Sequence, residues 1–199
     1  MEISSQPKKK STQTEIILST WNGSLIQIDF LHKKLVKSYG RITNQQIWCI
    51  KVTQDKRFLF VFCADGSLQQ WNLKSHKLLK DYGCLIDIPT MESKYHASHG
   101  NYSTAMCITP DDKYLYIAPG KDGTIVKFNL KRQSVLVVIP KTKTAIFYMA
   151  VSRDNRFFFT STCDGWITQW TTKDDQIVKT YNHDINLKMI MVIYMSHNN

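Results

Sequence analysis

Apolar residues gather in short, aromatic-rich runs separated by polar turns, and no stretch carries the spacing of an amphipathic helix. Three runs stand out: Phe58-Leu59-Phe60-Val61, Tyr114-Leu115-Tyr116-Ile117 and Phe157-Phe158-Phe159-Thr160. Each follows directly on a turn of one kind: Thr53-Gln54-Asp55-Lys56-Arg57, Thr109-Pro110-Asp111-Asp112-Lys113 or Ser152-Arg153-Asp154-Asn155-Arg156. A further apolar stretch precedes the turn, as in Ile47-Trp48-Cys49-Ile50 and Ile146-Phe147-Tyr148-Met149. β-Branched and aromatic residues suit a pleated, half-buried surface, so these runs predict strands.

Four segments repeat more closely still. They are Asn22-Gly23-Ser24-Leu25-Ile26-Gln27-Ile28, Asp65-Gly66-Ser67-Leu68-Gln69-Gln70-Trp71, Asp122-Gly123-Thr124-Ile125-Val126-Lys127-Phe128 and Asp164-Gly165-Trp166-Ile167-Thr168-Gln169-Trp170. Their glycines stand 43, 57 and 42 residues apart. Asp or Asn before Gly is the pair favoured where a tight hairpin needs positive φ. Gly23, Gly66, Gly123 and Gly165, with Asp65, Asp122 and Asp164, are therefore expected to build structural turns. Five residues beyond each Gly stands Ile28, Trp71, Phe128 or Trp170, and Trp71 and Trp170 are expected to pack between units. Three units also carry a tyrosine sixteen residues beyond the Gly: Tyr39, Tyr82 and Tyr181.

Each complete unit reads as four short antiparallel strands, here a to d. The units fall near residues 15–40, 41–83, 101–140 and 141–182, after a basic, disordered tail over 1–14. The first unit lacks its a strand, and residues 189–195 read as a spare one. A four-stranded unit recurring about every 42 residues is the mark of a β-propeller blade. Blades bury both faces only by stacking on neighbours.

On these residues the chain resembles the WD-repeat family. Trp71 and Trp170 match the family's tryptophan, with Ile28 and Phe128 in its place elsewhere. Asp29 matches the residue after it, which becomes Asn72, Asn129 and Thr171 in the other units. Asp65, Asp122 and Asp164 match the turn aspartate. The Gly-His dipeptide that opens the family's repeats is missing, so its buried Asp-His-Ser-Trp network cannot form in full. The resemblance implies an all-β fold of propeller blades, about four here against about seven in the family. The chain is thus expected to be part of a larger propeller, such as a fragment or a piece taking further blades in trans. The alternative is a self-closed ring of four. The resemblance further implies a non-catalytic scaffold that binds other proteins or peptides.

Charge adds a competing reading. Lys plus Arg number 26 against 16 Asp plus Glu, a formal charge of +10, which points to nucleic acid or anionic phospholipid as alternative partners. Only five of these cations are Arg, the residue suited to bidentate phosphate contacts. The lysines are scattered apart from Lys8-Lys9-Lys10, so most are expected to solvate the surface. The five cysteines include no C-x-x-C pair and are expected to be reduced, mostly buried thiols. A cytoplasmic location follows, with the nucleus as alternative. The most apolar run, Met189 to Met195, is far short of the roughly 20 residues that span a bilayer.

The long spacing between the second and third glycines places a loop insertion at 84–100. In the family this loop shares a face with the Asp-Gly turns, the face that most often binds partners. Tyr95, His96, His99, Lys121 and Trp166 are the candidate protein-binding residues. Trp166 stands where its siblings carry Ser24, Ser67 and Thr124. His96 and His99, near Cys84 and Asp87, lack a second matched pair, so neither metal nor cofactor is expected. No phosphate loop, nucleophile elbow or paired catalytic carboxylates are present, and no enzymatic activity is expected.

Overall fold

The computed structural model describes residues 15–85, 105–119, 123–139 and 144–182; these hold fifteen β-strands and no helix. The chain divides into two compact units, one up to Gln46 and one from Ile47 onward. The basic tail and the 189–195 strand lie outside the described residues.

In the first unit β1 (Glu15–Ser19), β2 (Ser24–Asp29) and β3 (Lys34–Arg41) form an antiparallel meander. They supply the b, c and d strands of one blade. Gly23 turns the chain between β1 and β2 at φ +82°, and its carbonyl accepts from Ile42 N–H at 2.9 Å. A Cβ on Gly23 would stand 2.2 Å from the Thr43 carbonyl oxygen and 2.7 Å from that of Gln45. Backbone cannot move aside as a side chain can. Gly23→Ala is therefore expected to cost more than the roughly 1–2 kcal/mol of a left-handed non-glycine residue. Gly40→Ala, at φ +67° with nothing within 4 Å, should cost only that backbone term. Urea midpoints of the two variants, read by hydrogen exchange within residues 15–46, check the difference.

The second unit contains three four-stranded sheets. The first joins β4 (Ile47–Val52), β5 (Phe58–Cys63), β6 (Ser67–Asn72) and β7 (Lys77–Cys84) in chain order. The second joins β8 (Ala105–Ile108), β9 (Tyr114–Ala118), β10 (Ile125–Asn129) and β11 (Ser134–Ile139) in the same way. The third joins β12 (Ile146–Val151), β13 (Phe157–Thr162), β14 (Trp166–Thr171) and β15 (Ile177–Asn182). The a strand β8 lies beside both β4 and β12, so the sheets stack side by side. Every c–d pair carries a register shift at the equivalent position, between Gln27/Ile28, Gln70/Trp71, Lys127/Phe128 and Gln169/Trp170, and the first two pairs carry a second. Such bulges sharpen the twist that lets sheets fan around an axis.

The middle sheet is buried on both faces, and its side chains alternate between neighbours as a pleat requires. Met106, Leu115, Ile117 and Phe128 pack with Phe60, Phe62 and Leu68 of the first sheet. Ala105, Cys107, Tyr116, Ala118 and Ile125 pack with Ile146, Met149, Phe158 and Trp170 of the third. Tyr82 meets the Phe128 ring edge-on at 5.0 Å, and Tyr116, Phe158 and Trp170 stack in succession at 4.4 and 5.6 Å.

The a–b turns share one design. Phe58 N–H donates to Thr53 Oγ1 at 3.1 Å, and the Thr53 hydroxyl donates to Asp55 at 2.7 Å. Asp55 also accepts from the Arg57 backbone N–H at 3.0 Å and from its Nε at 2.6 Å. Ser152, Asp154, Arg156 and Phe157 repeat all of these contacts, and Thr109, Asp111, Lys113 and Tyr114 most of them. Lys56, Asp112 and Asn155 hold the left-handed position of each turn at φ 58°, 53° and 58°. In each sheet the c–d turn is tied back to the a–b turn by one backbone bond: Leu73 N–H to Arg57, Leu130 to Lys113 and Thr172 to Arg156.

Neighbouring turns also meet. Asp112 accepts from Gln54 N–H at 2.8 Å and Asp55 N–H at 3.1 Å in the adjacent sheet. Asn155 is its counterpart in the third sheet, but Pro110 stands where Gln54 does and has no N–H to offer. Asn155 Oδ1 is buried without a partner.

Hydrogen bonds from Ser152, and then from Arg156, lower the Asp154 carboxyl to about 2. Burial pushes Asp55 and Asp111 upward, yet the donors of their own turns outweigh it and both lie below the usual value. Carboxyls depressed in the folded state contribute stability that is present above 3.8 and lost as pH falls toward about 2. Urea midpoints should drop through this window, and Asp154→Asn should flatten the slope.

Candidate functional site

The tyrosines sixteen residues beyond the turn glycines each have a fixed partner. Tyr39 donates to Gln27 at 2.9 Å, Tyr82 to Gln70 at 2.6 Å and Tyr181 to Gln169 at 3.0 Å. All three glutamines stand four residues after the glycine, on strand c, opposite the tyrosine on strand d. The middle sheet of the second unit departs at both positions together. There Lys127 replaces the glutamine and Ile139 the tyrosine.

Lys127 does not reach water. Its ammonium donates to both oxygens of Asp175, at 2.9 and 3.0 Å, and to the Thr172 carbonyl at 2.9 Å. Its three protons are thereby satisfied. The side chains are 6% and 10% exposed. The Tyr114 ring centroid lies 4.6 Å from the Lys127 ammonium and that of Tyr116 5.4 Å. The Tyr116 hydroxyl donates to Asp175 at 3.0 Å. Burial, and then the Asp175 charge, raises the Tyr116 pKa, which keeps the hydroxyl a donor. Asp175 comes from the c–d turn of the third sheet, so the pair bridges two sheets through their interior. The cluster is closed to substrate and holds structure. Sequence reading did not pick it out, although the paired loss of glutamine and tyrosine in one repeat marks the place.

The b–c turns lie at the opposite end of the strands. Asp65 accepts from the Ser67 N–H at 3.0 Å and its hydroxyl at 2.7 Å, and Gly66 sits at φ 81°. Asp164 accepts from the hydroxyls of Thr162 and Thr144, and Gly165 sits at φ 86°. These bonds fix the turn that carries Trp166, which is 38% exposed. Gly123 sits at φ 69° in the middle sheet. In the first unit the equivalent turn carries Trp21, 80% exposed, which sequence reading also passed over. Tyr95, His96, His99, Lys121 and Asp122 lie outside the described residues.

Phe128 and Trp170 are buried between sheets. The Trp170 indole N–H donates to Thr160 Oγ1 at 3.0 Å, the bond that remains where the family's fuller network would need a histidine. Trp71 is half-buried and donates to Gln69 at 3.2 Å. The residue after the family tryptophan keeps one task whatever its identity. Asp29 caps Leu31 and His32, Asn72 caps Ser75, Asn129 caps Arg132 and Thr171 caps Gln176, all through backbone N–H groups.

No cysteine forms a disulfide. Only Cys63 and Cys107 are buried, fewer than expected. Cys84 is exposed because it ends β7, an outer strand that faces solvent. Burial raises the Cys49 thiol and pushes Cys107 up to about 12, so neither is a thiolate at neutral pH. Among the described residues no group of three His, Cys, Asp or Glu side chains could hold a metal ion. Nor is any helix there long and apolar enough to cross a membrane.

Residues 33–72 match the family model for the WD domain, G-beta repeat. The match runs from β3 through β6, an outer strand followed by the a, b and c strands of the next sheet. The sheets before and after it repeat the same antiparallel order, an arrangement consistent with a WD-repeat propeller of about four blades. Repeats of this family are in general protein-interaction modules. No curated protein matches the sequence.

Proposed function

We propose that the chain is a non-catalytic scaffold that binds other proteins or peptides through the b–c turn end of its blades. The observation that carries the reading is Trp166. A large aromatic is held in view of solvent by a hydrogen-bonded turn, at a position where the sibling repeats carry Ser or Thr. Exposed tryptophans on rigid elements are the side chains that anchor protein interfaces. Tyr95, His96, His99 and Lys121 belong to the loops assigned to the same end. Thiols without disulfides fit a cytoplasmic or nuclear setting.

A photo-crosslinking amino acid at position 166, compared with one at Val178 on the outer strand β15, tests the reading in cells. Proteins captured from position 166 and not from 178, lost when the unaltered chain is added as an untagged competitor and retained when that competitor carries Trp21→Ala/Trp166→Ala, support it. Equal capture from the two positions overturns it.

A further inference from the structure

Among the described residues of the second unit, the two ends of the strands differ in charge. At the a–b and c–d end, Lys74 and Lys77 flank one c–d turn and Lys131 and Arg132 tip the next, all exposed. None of these four side chains forms an ion pair among the described residues. The carboxylates at this end are already committed. Asp55, Asp111 and Asp154 pair with Arg57, Lys113 and Arg156 of their own turns. Asp112 accepts two N–H groups of the neighbouring turn, Asp174 accepts from the Thr171 hydroxyl, and Asp175 holds Lys127. At the b–c end the described turn residues 64–66, 123–124 and 163–166 include Asp65 and Asp164 and no cation. The c–d turn of the first unit repeats the pattern with Lys33 and Lys34, both exposed.

The cationic turns are also fixed relative to one another. Each c–d turn is bonded to its a–b turn, Asp112 bridges two a–b turns, and Lys80 Nζ reaches Gln133 of the adjacent c–d turn at 2.9 Å. The cations are thus presented in a preset row, which lowers the ordering cost of meeting a partner.

We infer that this a–b and c–d turn end is a second interaction surface, and that its partner is an acidic polypeptide segment. Opposite charge on a preset row gives fast, salt-sensitive association. An acidic segment fits better than nucleic acid because the aromatics at this end, Phe58, Tyr114 and Phe157, are partly buried. They lie beneath Arg57, Lys127 and Arg156 and offer bases no open stacking face. The surface is distinct from the b–c end and stands whether or not that end binds a protein.

Fluorescence anisotropy of a labelled oligoglutamate peptide with the full chain tests the inference. The peptide should bind, with affinity falling as salt rises. Lys74→Gln/Lys77→Gln/Lys131→Gln/Arg132→Gln should weaken binding about tenfold or more. Lys37→Gln/Lys179→Gln, which lowers net charge on outer strands, should change it less than about twofold. All six positions are exposed, so the variants should fold, and circular dichroism checks this. Lys74→Glu/Lys131→Glu is a second variant with the same expectation, through repulsion. Unchanged affinity in both turn variants overturns the inference. So does tighter binding of a single-stranded oligonucleotide or of phosphatidylserine vesicles than of oligoglutamate at equal charge.

Discussion

Replacing Asp175 with alanine should destabilise the second unit by about 3–5 kcal/mol, the usual cost of stranding one charge of a buried pair. The ammonium of Lys127 would keep only the Thr172 carbonyl, in a site from which water is excluded. Removing both charges tells a different story. A buried pair pays heavily for desolvation, so Lys127→Met/Asp175→Leu should recover most of the loss and could exceed the parent protein. Lys127→Gln/Ile139→Tyr would restore the glutamine and tyrosine of the other three repeats but leaves the Asp175 carboxylate without its cation, so it should lose about as much as the single alanine. Urea midpoints of the three variants check the order: Lys127→Met/Asp175→Leu well above the two that leave one charge of the pair alone. Equal losses in all three variants would mean that packing volume, rather than charge, holds the two sheets together at this point.

Trp170→Ala should cost about 3–5 kcal/mol, the range for removing a buried aromatic. Trp170 is 3% exposed, lies 6° from parallel with the Phe158 ring and donates its indole N–H to Thr160. Truncation opens a cavity between the second and third sheets and leaves the Thr160 hydroxyl without its donor. Trp170→Phe keeps the stack but not the hydrogen bond, and should cost less. Trp71→Ala should also cost less, because that ring is only half-buried. Calorimetry on the set checks the ranking. A Trp71→Ala loss as large as that of Trp170→Ala would contradict burial as the cause.

The strands were legible because their signal is local. Phe58-Leu59-Phe60-Val61 and its siblings follow turns whose Thr or Ser, Asp and Arg or Lys close on themselves within six residues. The b–c turns were legible for the same reason: Gly23, Gly66, Gly123 and Gly165 all take the positive φ that Asn-Gly, Asp-Gly or a turn Gly implies. What stayed hidden depends on partners distant along the chain. Lys127 meets Asp175 forty-eight positions away, and each looks by itself like an ordinary surface charge. The packing of Trp170 followed from its match to a family position. That Thr160 would supply the acceptor did not, since the family's own network was known to be incomplete. Trp21 was missed because its siblings two residues before the turn glycine, Ala64, Lys121 and Cys163, share no residue type that marks the position.

The orphaned oxygen of Asn155 bears on how such a chain can change over generations. Asp112 accepts two N–H groups from the preceding blade, whereas Asn155 Oδ1 has no partner and the blade before it offers one N–H fewer, because Pro110 stands in the place of Gln54. The partners of the left-handed residue in the middle turn are therefore encoded in its neighbour. A blade copied, deleted or moved as a block would carry mismatched halves at both borders. The heritable module in this protein is the seam between blades, and substitutions at Pro110 and Asn155 are expected to drift as a pair.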